Sequence, residues 1–150
     1  MQQRLHFMVS WLLLHYKLPT KPSALRVYVW RKLKRLGAIL LHEAVWVLPD
    51  QPRSAEQVRW LTAEIQEMGG NAYSWRASSI LGEDDESIVE QFNAQVDAIY
   101  SDLLKRLEKP KADLQEISRG YQQAVSQDFF HSKLGTRLRE KLTSKRGEKP

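Results

Sequence analysis

The feature that most constrains this chain is a continuous apolar run, Phe7-Met-Val-Ser-Trp-Leu-Leu-Leu-His-Tyr16, closed off by Pro19 and Pro22. Its length and flanks predict a strand buried on both faces rather than a short helix. It is far too short to cross a bilayer as a helix, which takes about 20 residues. Arg4 ahead of the run gives the outline of a signal peptide, but His15-Tyr16-Lys17 follows at once, with no small-x-small cleavage site. A strand this apolar needs cover, and the rest of the chain has to provide it.

The pattern that follows is regular. Pro22 and Ser23 open a helix, on which Leu25, Val29, Leu33 and Leu36 share one face, and Gly37 caps it in the left-handed conformation. Ala38 to Leu41 and Val45 to Leu48 are two short strand-like runs around His42-Glu43-Ala44, a hairpin without the usual Asn-Gly signal. Pro49 and Pro52 close that segment. Ser54-x-x-Gln57 has the form of a capping box for a second helix. Val58, Leu61, Ile65 and Met68 form its apolar stripe, and Gly69-Gly70 stops it. Residues 71–77, with Tyr73 and Trp75, read as a fourth strand. The order β-α-β-β-α-β predicts an α+β domain of ferredoxin-like form, two helices over a four-stranded antiparallel sheet.

Beyond it the sequence turns helical. Asp84-Asp85 place acids where a helix dipole favours them. Ile88, Phe92, Val96, Ile99, Leu103 and Leu107 form a long stripe, widened by Val89, Tyr100 and Leu104, and Pro110 breaks it. Leu114, Ile117, Tyr121 and Val125 mark another helix, continuing toward Phe129-Phe130, with Leu134, Leu138 and Leu142 as its last turns or a fraying end. The expected organisation is a core over residues 1–80, a C-terminal helical extension over 81–144 and a flexible tail over 145–150. The sheet carries Trp11, Trp46 and Trp75, so its second face also needs cover, from the C-terminal helices or from a second subunit as a homodimer.

There are no cysteines, which excludes disulfides, thiolate metal sites and cysteine nucleophiles and fits a reducing compartment. The net charge of +5 is unevenly distributed. Residues 1–50 carry eight Lys/Arg against two acids, residues 51–109 six against eleven, and residues 110–150 nine against five. Such polarity either offers a basic surface to an anionic partner or simply keeps each segment solvated.

Three segments together have a familiar look: Trp11-Leu-Leu-Leu-His-Tyr-Lys-Leu-Pro19, Pro22-Ser-Ala-Leu-Arg-Val-Tyr-Val-Trp-Arg-Lys-Leu-Lys-Arg-Leu-Gly-Ala38, and Val45-Trp-Val-Leu-Pro49. In this order they resemble the start of ChrB-type chromate-resistance regulators, over residues 8–107. The resemblance implies a cytoplasmic, non-enzymatic protein in transcriptional control of a chromate efflux pump. Full-length members carry a second domain after the matched one, whose functions are not carried over. A more distant likeness runs to PaaX-type repressors and to CRISPR-associated ferredoxin-like nucleases. Those place an aspartate after the tyrosine that ends the first strand. Here Lys17 follows Tyr16, and a lysine cannot hold magnesium as a carboxylate does.

The candidate site is the first helix. Its apolar face spans roughly 0–80° from Leu25, while Arg26, Trp30, Lys34, Val27 and Arg31 fan over roughly 100–240° at 3.6 residues per turn. Cations interleaved with an aromatic suit a phosphate backbone, or a chromate or sulfate oxyanion. Arg26, Trp30, Arg31, Lys34 and Arg35 are therefore the expected DNA- or oxyanion-binding residues. The plain alternative is that Trp30 and Val27 dock the C-terminal helix and the cations stay wet. A second cluster, Arg137, Arg139, Lys141, Lys145 and Arg146, is a basic end that either adds non-specific nucleic-acid affinity or, as is commoner, is simply solvated.

No metal site or cofactor is expected. His6, His15, His42 and His131 are scattered, with no i, i+4 pair. His15 and His42 approach each other only if the first two strands are close. Glu83-Asp84-Asp85-Glu86 lacks the oxygen spacing and central glycine of a calcium loop. With no phosphate loop, serine elbow or triad signature, three functions stand side by side: a DNA-associated regulator, an interaction or dimerisation domain without nucleic acid, and a nuclease by fold analogy alone.

Overall fold

A computed structural model describes residues 9–147. Among them lie four strands and five helices: β1 Trp11–Lys17, α1 Ser23–Leu36, β2 Ile39–Leu41, β3 Val45–Pro49, α2 Pro52–Glu67, β4 Asn71–Ala77, α3 Gly82–Leu107, α4 Leu114–Val125 and α5 Lys133–Gly147. The protein is mixed α+β. Two compact units divide it, one ending at Ser87 and one beginning at Ile88, so α3 contributes to both.

In the first unit the strands make one antiparallel sheet in the order β2-β3-β1-β4. The apolar run takes the centre, as its hydrophobicity demands. It becomes a strand only from Trp11, while Phe7 and Met8 lie outside the described residues. The entry to the strand is held by Asp85: the Val9 N–H donates to Oδ2 at 3.2 Å and the Trp11 indole to Oδ1 at 2.8 Å. Burial on both faces holds for only half the strand. Trp11, Leu12 and Leu14 are buried, whereas His15 and Lys17 are exposed.

Strand alternation puts Leu12, Leu14 and Tyr16 on one face, with Ala72, Ser74 and Arg76 across from them. That is the helix side: α2 contacts β1 and β4 and buries Val58, Leu61 and Ile65, each such side chain contributing about 1.5–3 kcal/mol. Gly70 allows the close approach after α2, since a Cβ there would sit 2.8 Å from the Lys17 carbonyl oxygen and 2.9 Å from Ile65. Helix α1 meets α2 through Lys32, whose Nζ is 2.9 Å from Glu64, and through the Tyr28 hydroxyl, which donates to the same carboxylate.

The opposite face is covered on only one half. Its central row runs Ile39–Val47–Leu13–Trp75. Ile39 and Val47 at one end are buried, and Trp75 at the other is 53% exposed.

Helix α1 ends as its sequence predicts, with Gly37 at φ 85°. Helix α2 does not begin at a capping box. Pro52 occupies the first helical turn, Gln51 is the N-cap without a side-chain hydrogen bond, and Ser54 is buried inside the helix. The β2–β3 hairpin forms by placing His42 and Glu43 at φ 49° and 57°, the left-handed region that Asn-Gly would take more easily.

The second unit is helical. Val96, Tyr100, Leu103, Leu107, Ile117 and Leu138 are among its buried core. Tyr100 is fully buried and donates to Asp128 Oδ2 at 2.9 Å. Gly135 leaves room for that ring, because a Cβ there would approach it to 2.8 Å. The segment after Val125 is no continuation of α4. Asp128 Oδ1 accepts from the Ser132 N–H at 2.9 Å, His131 takes φ 56°, and a separate α5 starts at Lys133. That helix runs through Gly147, into the stretch expected to be a tail; residues 148–150 lie outside the described residues.

Candidate functional site

Helix α1 begins directly after the turn that leaves β1, so its outer face and the strand's end share one side of the molecule. Lys17, Thr20, Ser23, Arg26, Trp30 and Arg31 line an open groove there, together with Tyr16, Leu18 and Val27. Trp30 is 49% exposed and Val27 44% exposed, so neither is lost to packing. Among the described residues, neither Lys17, Arg26 nor Arg31 takes part in a salt bridge. Their charge is not consumed within the described part of the chain. Burial raises the Tyr16 phenol above its ordinary value, partly offset by its hydrogen bond with Trp46 and by the charge of Arg26. Tyr16 thus stays neutral and leaves the groove purely cationic.

Of the residues expected at the site, the groove brings together Arg26, Trp30 and Arg31. Lys34 lies one turn further along, its Nζ 6.0 Å from the Trp30 ring centroid, the outer limit of a cation–π contact. Arg35 shares the last turn of α1 with Lys34, where cations meet the negative end of the helix dipole. It is not a groove residue. Sequence reasoning noticed Lys17 only as a missing carboxylate, yet the fold makes it the groove's third cation.

Three cations of the second cluster and one acid of the acidic run have partners within the protein. Lys145 Nζ donates to the Leu107 carbonyl at 2.6 Å at the end of α3, Arg146 bonds Ser118, and Lys141 pairs with Glu108 at 3.7 Å. Asp85, one of the four consecutive acids, is 5% exposed and also accepts from Ser79 Oγ at 2.8 Å. It anchors a loop as well as facing the dipole. The strands β1 and β2 are not neighbours, since β3 separates them, and His42 lies in the β2–β3 hairpin. His15 Nε2 instead accepts from the Trp75 indole at 2.8 Å. Among the described residues no group of His, Asp and Glu is placed to hold a metal ion, and no helix is long and apolar enough to cross a membrane.

The sequence profile of the family described as Protein ChrB, N-terminal, matches residues 26–134. The chain belongs to that family. Protein ChrB of Cupriavidus metallidurans is 31% identical over 81 residues, 54% of this chain and 24% of that protein. The match thus spans about a quarter of that relative's length. No solved structure matches the chain.

Proposed function

We propose that, as a member of this family, the chain is a non-enzymatic, cytoplasmic component of chromate-resistance regulation that uses the α1 groove to bind the phosphate backbone of DNA. The observation that carries the reading is the convergence of Lys17, Arg26 and Arg31 around the half-exposed Trp30. Cations not paired within the described protein are those that release counterions from a polyanion, and the indole adds a flat surface against sugar or base. A dianion such as chromate or sulfate fits the same charges and competes for the same groove. Helix connections together with the strand order β4-β1-β3-β2, read from the β4 edge, support a ferredoxin-like core as the scaffold.

The test is anisotropy of a labelled duplex titrated with the full chain at two salt concentrations. Three neutralised phosphates predict a roughly 40-fold loss of affinity between 50 and 200 mM salt. Arg26→Glu combined with Arg31→Glu should abolish binding and leave the circular dichroism unchanged. A salt-independent affinity, or full binding by the double variant, overturns the reading. One observation favours a protein-interaction role instead: Ile80 is 98% and Leu81 61% exposed in the β4–α3 connection. A homodimer closed by these residues would lose its concentration-dependent mass on Ile80→Ser.

A further inference from the structure

We infer that the open half of the sheet is a stacking platform for an unpaired nucleobase of single-stranded nucleic acid, formed by His15, Tyr73 and Trp75. The three rings lie outside the α1 groove, and the platform does not depend on duplex binding there.

The three side chains project from the same face of adjacent strands. His15 pairs directly with Tyr73, and Trp75 pairs with Leu13, one step along the same row of outward positions. Tyr73 is 60% exposed and Trp75 53% exposed. The His15 and Trp75 rings differ in tilt by 8°, with centroids 6.2 Å apart. The indole N–H lies in its ring plane, and so does the imidazole lone pair that accepts it. A 2.8 Å bond between rings this parallel therefore joins them edge to edge, as one flat surface. Tyr73 lies beside that pair with its ring near parallel, at 24° and 5.6 Å from His15 and at 21° and 6.1 Å from Trp75.

A hydrogen-bonded indole–imidazole pair has the shape of a base pair's face: planar, π-rich, and fixed in orientation. Isolated aromatics on a surface need no explanation, but three held with their ring planes within 24° of parallel on one sheet face are preorganised for a planar ligand. Every base offers a π-face, so such a platform binds with little sequence preference. Lys17 supplies the charge. It follows His15 by two residues, shares its side of the strand, and lines the cationic groove at the strand's end. A base on the platform would thus carry its phosphate toward a cation. Duplex DNA cannot use this surface, because its π-faces are already stacked.

The experiment titrates a labelled single-stranded deoxyoligonucleotide into the full chain and into Trp75→Ala, Tyr73→Ala and Trp75→Phe variants. A second titration uses the same strand with abasic sites. Stacking predicts a loss of about 5- to 150-fold per base platform removed. We expect at least a tenfold loss for Trp75→Ala and for the abasic strand, with Trp75→Phe retaining part of the affinity. Duplex affinity, governed by Arg26 and Arg31, should not change in the Trp75 and Tyr73 variants. Equal binding of intact and abasic strands would mean charge alone, and would overturn the platform. So would an oligomer that dissociates on Tyr73→Ala, since the face would then belong to a second copy. The substituted positions are exposed, and unchanged circular dichroism separates a lost contact from a lost fold.

Discussion

The two units treat their apolar side chains differently. Up to Ser87 the protein leaves Trp30, Trp60, Tyr73, Trp75, Ile80 and Leu81 substantially exposed. From Ile88 on, Val125 is the one large hydrophobic exposed among the described residues. Tyr100 and Leu138 go into a core of their own, and Phe92 is buried edge-on to Phe129 at 5.6 Å. A small domain gains stability from every buried aromatic, so aromatics left in solvent are the informative ones. The contrast leaves the exposed aromatics, and with them both proposed binding surfaces, in the sheet unit. All five tryptophans lie in the sheet unit, at positions 11, 30, 46, 60 and 75, so their emission reports on that unit alone.

The largest effect expected is on the helical unit. Tyr100→Ala removes a fully buried ring and its hydrogen bond to Asp128, which should cost about 3–5 kcal/mol. Urea unfolding followed by far-ultraviolet circular dichroism should show the loss, with the tryptophan transition shifting less. Two transitions that fall in step would break the comparison, because the units would then unfold as one.

Asp85 comes next. Replacing it with alanine removes the acceptor for the Val9 N–H, the Trp11 indole and the Ser79 hydroxyl. Unsatisfied donors cost about 1–3 kcal/mol each where water cannot reach them. With partial access of water to the loop, a net loss of about 3 kcal/mol is expected, accompanied by a red shift in tryptophan emission. A loss within about 0.5 kcal/mol, as at ordinary surface sites, would reduce Asp85 to one more acid at a helix N-terminus.

That acid run shows where the sequence was legible and where it was not. Local signals were readable: the apolar spacing and Gly37 set α1 correctly, and the wheel grouped Arg26, Trp30 and Arg31 on one face. The capping box at Ser54 was a local signal outcompeted by another, since Pro52 starts the helix earlier with φ already fixed. Two of the missed features depend on residues far apart in the chain. Trp11 and Asp85 are separated by 74 positions and Trp75 and His15 by 60. No periodicity marks such pairs. Lys17 joined the groove for another reason: the turn between β1 and α1 brings the strand's end beside the helix.

The smallest effect tests whether polar contacts on the sheet unit's surface matter to its stability. Glu64 on α2 accepts from the Tyr28 hydroxyl and from Lys32 on α1, and these bonds, in that order, hold its carboxyl below the usual carboxylate range. Lys32 is raised in turn, chiefly by Glu64 and then by Tyr28. A depressed acid contributes stability above its unfolded pKa and loses it as pH falls through the folded one. A raised base contributes below its unfolded pKa and loses it as pH rises through the folded one. The pair therefore acts from above the carboxylate range up to the lysine range. Lys32 is 41% and Glu64 29% exposed, so screening limits the gain to below about 1 kcal/mol. Glu64→Gln should lower the urea midpoint slightly near neutrality, and the difference should shrink as the wild-type carboxylate takes up its proton. A deficit that persists unchanged at acid pH would mean that Glu64 serves by shape and neutral hydrogen bonding, with its charge irrelevant to how α1 is presented.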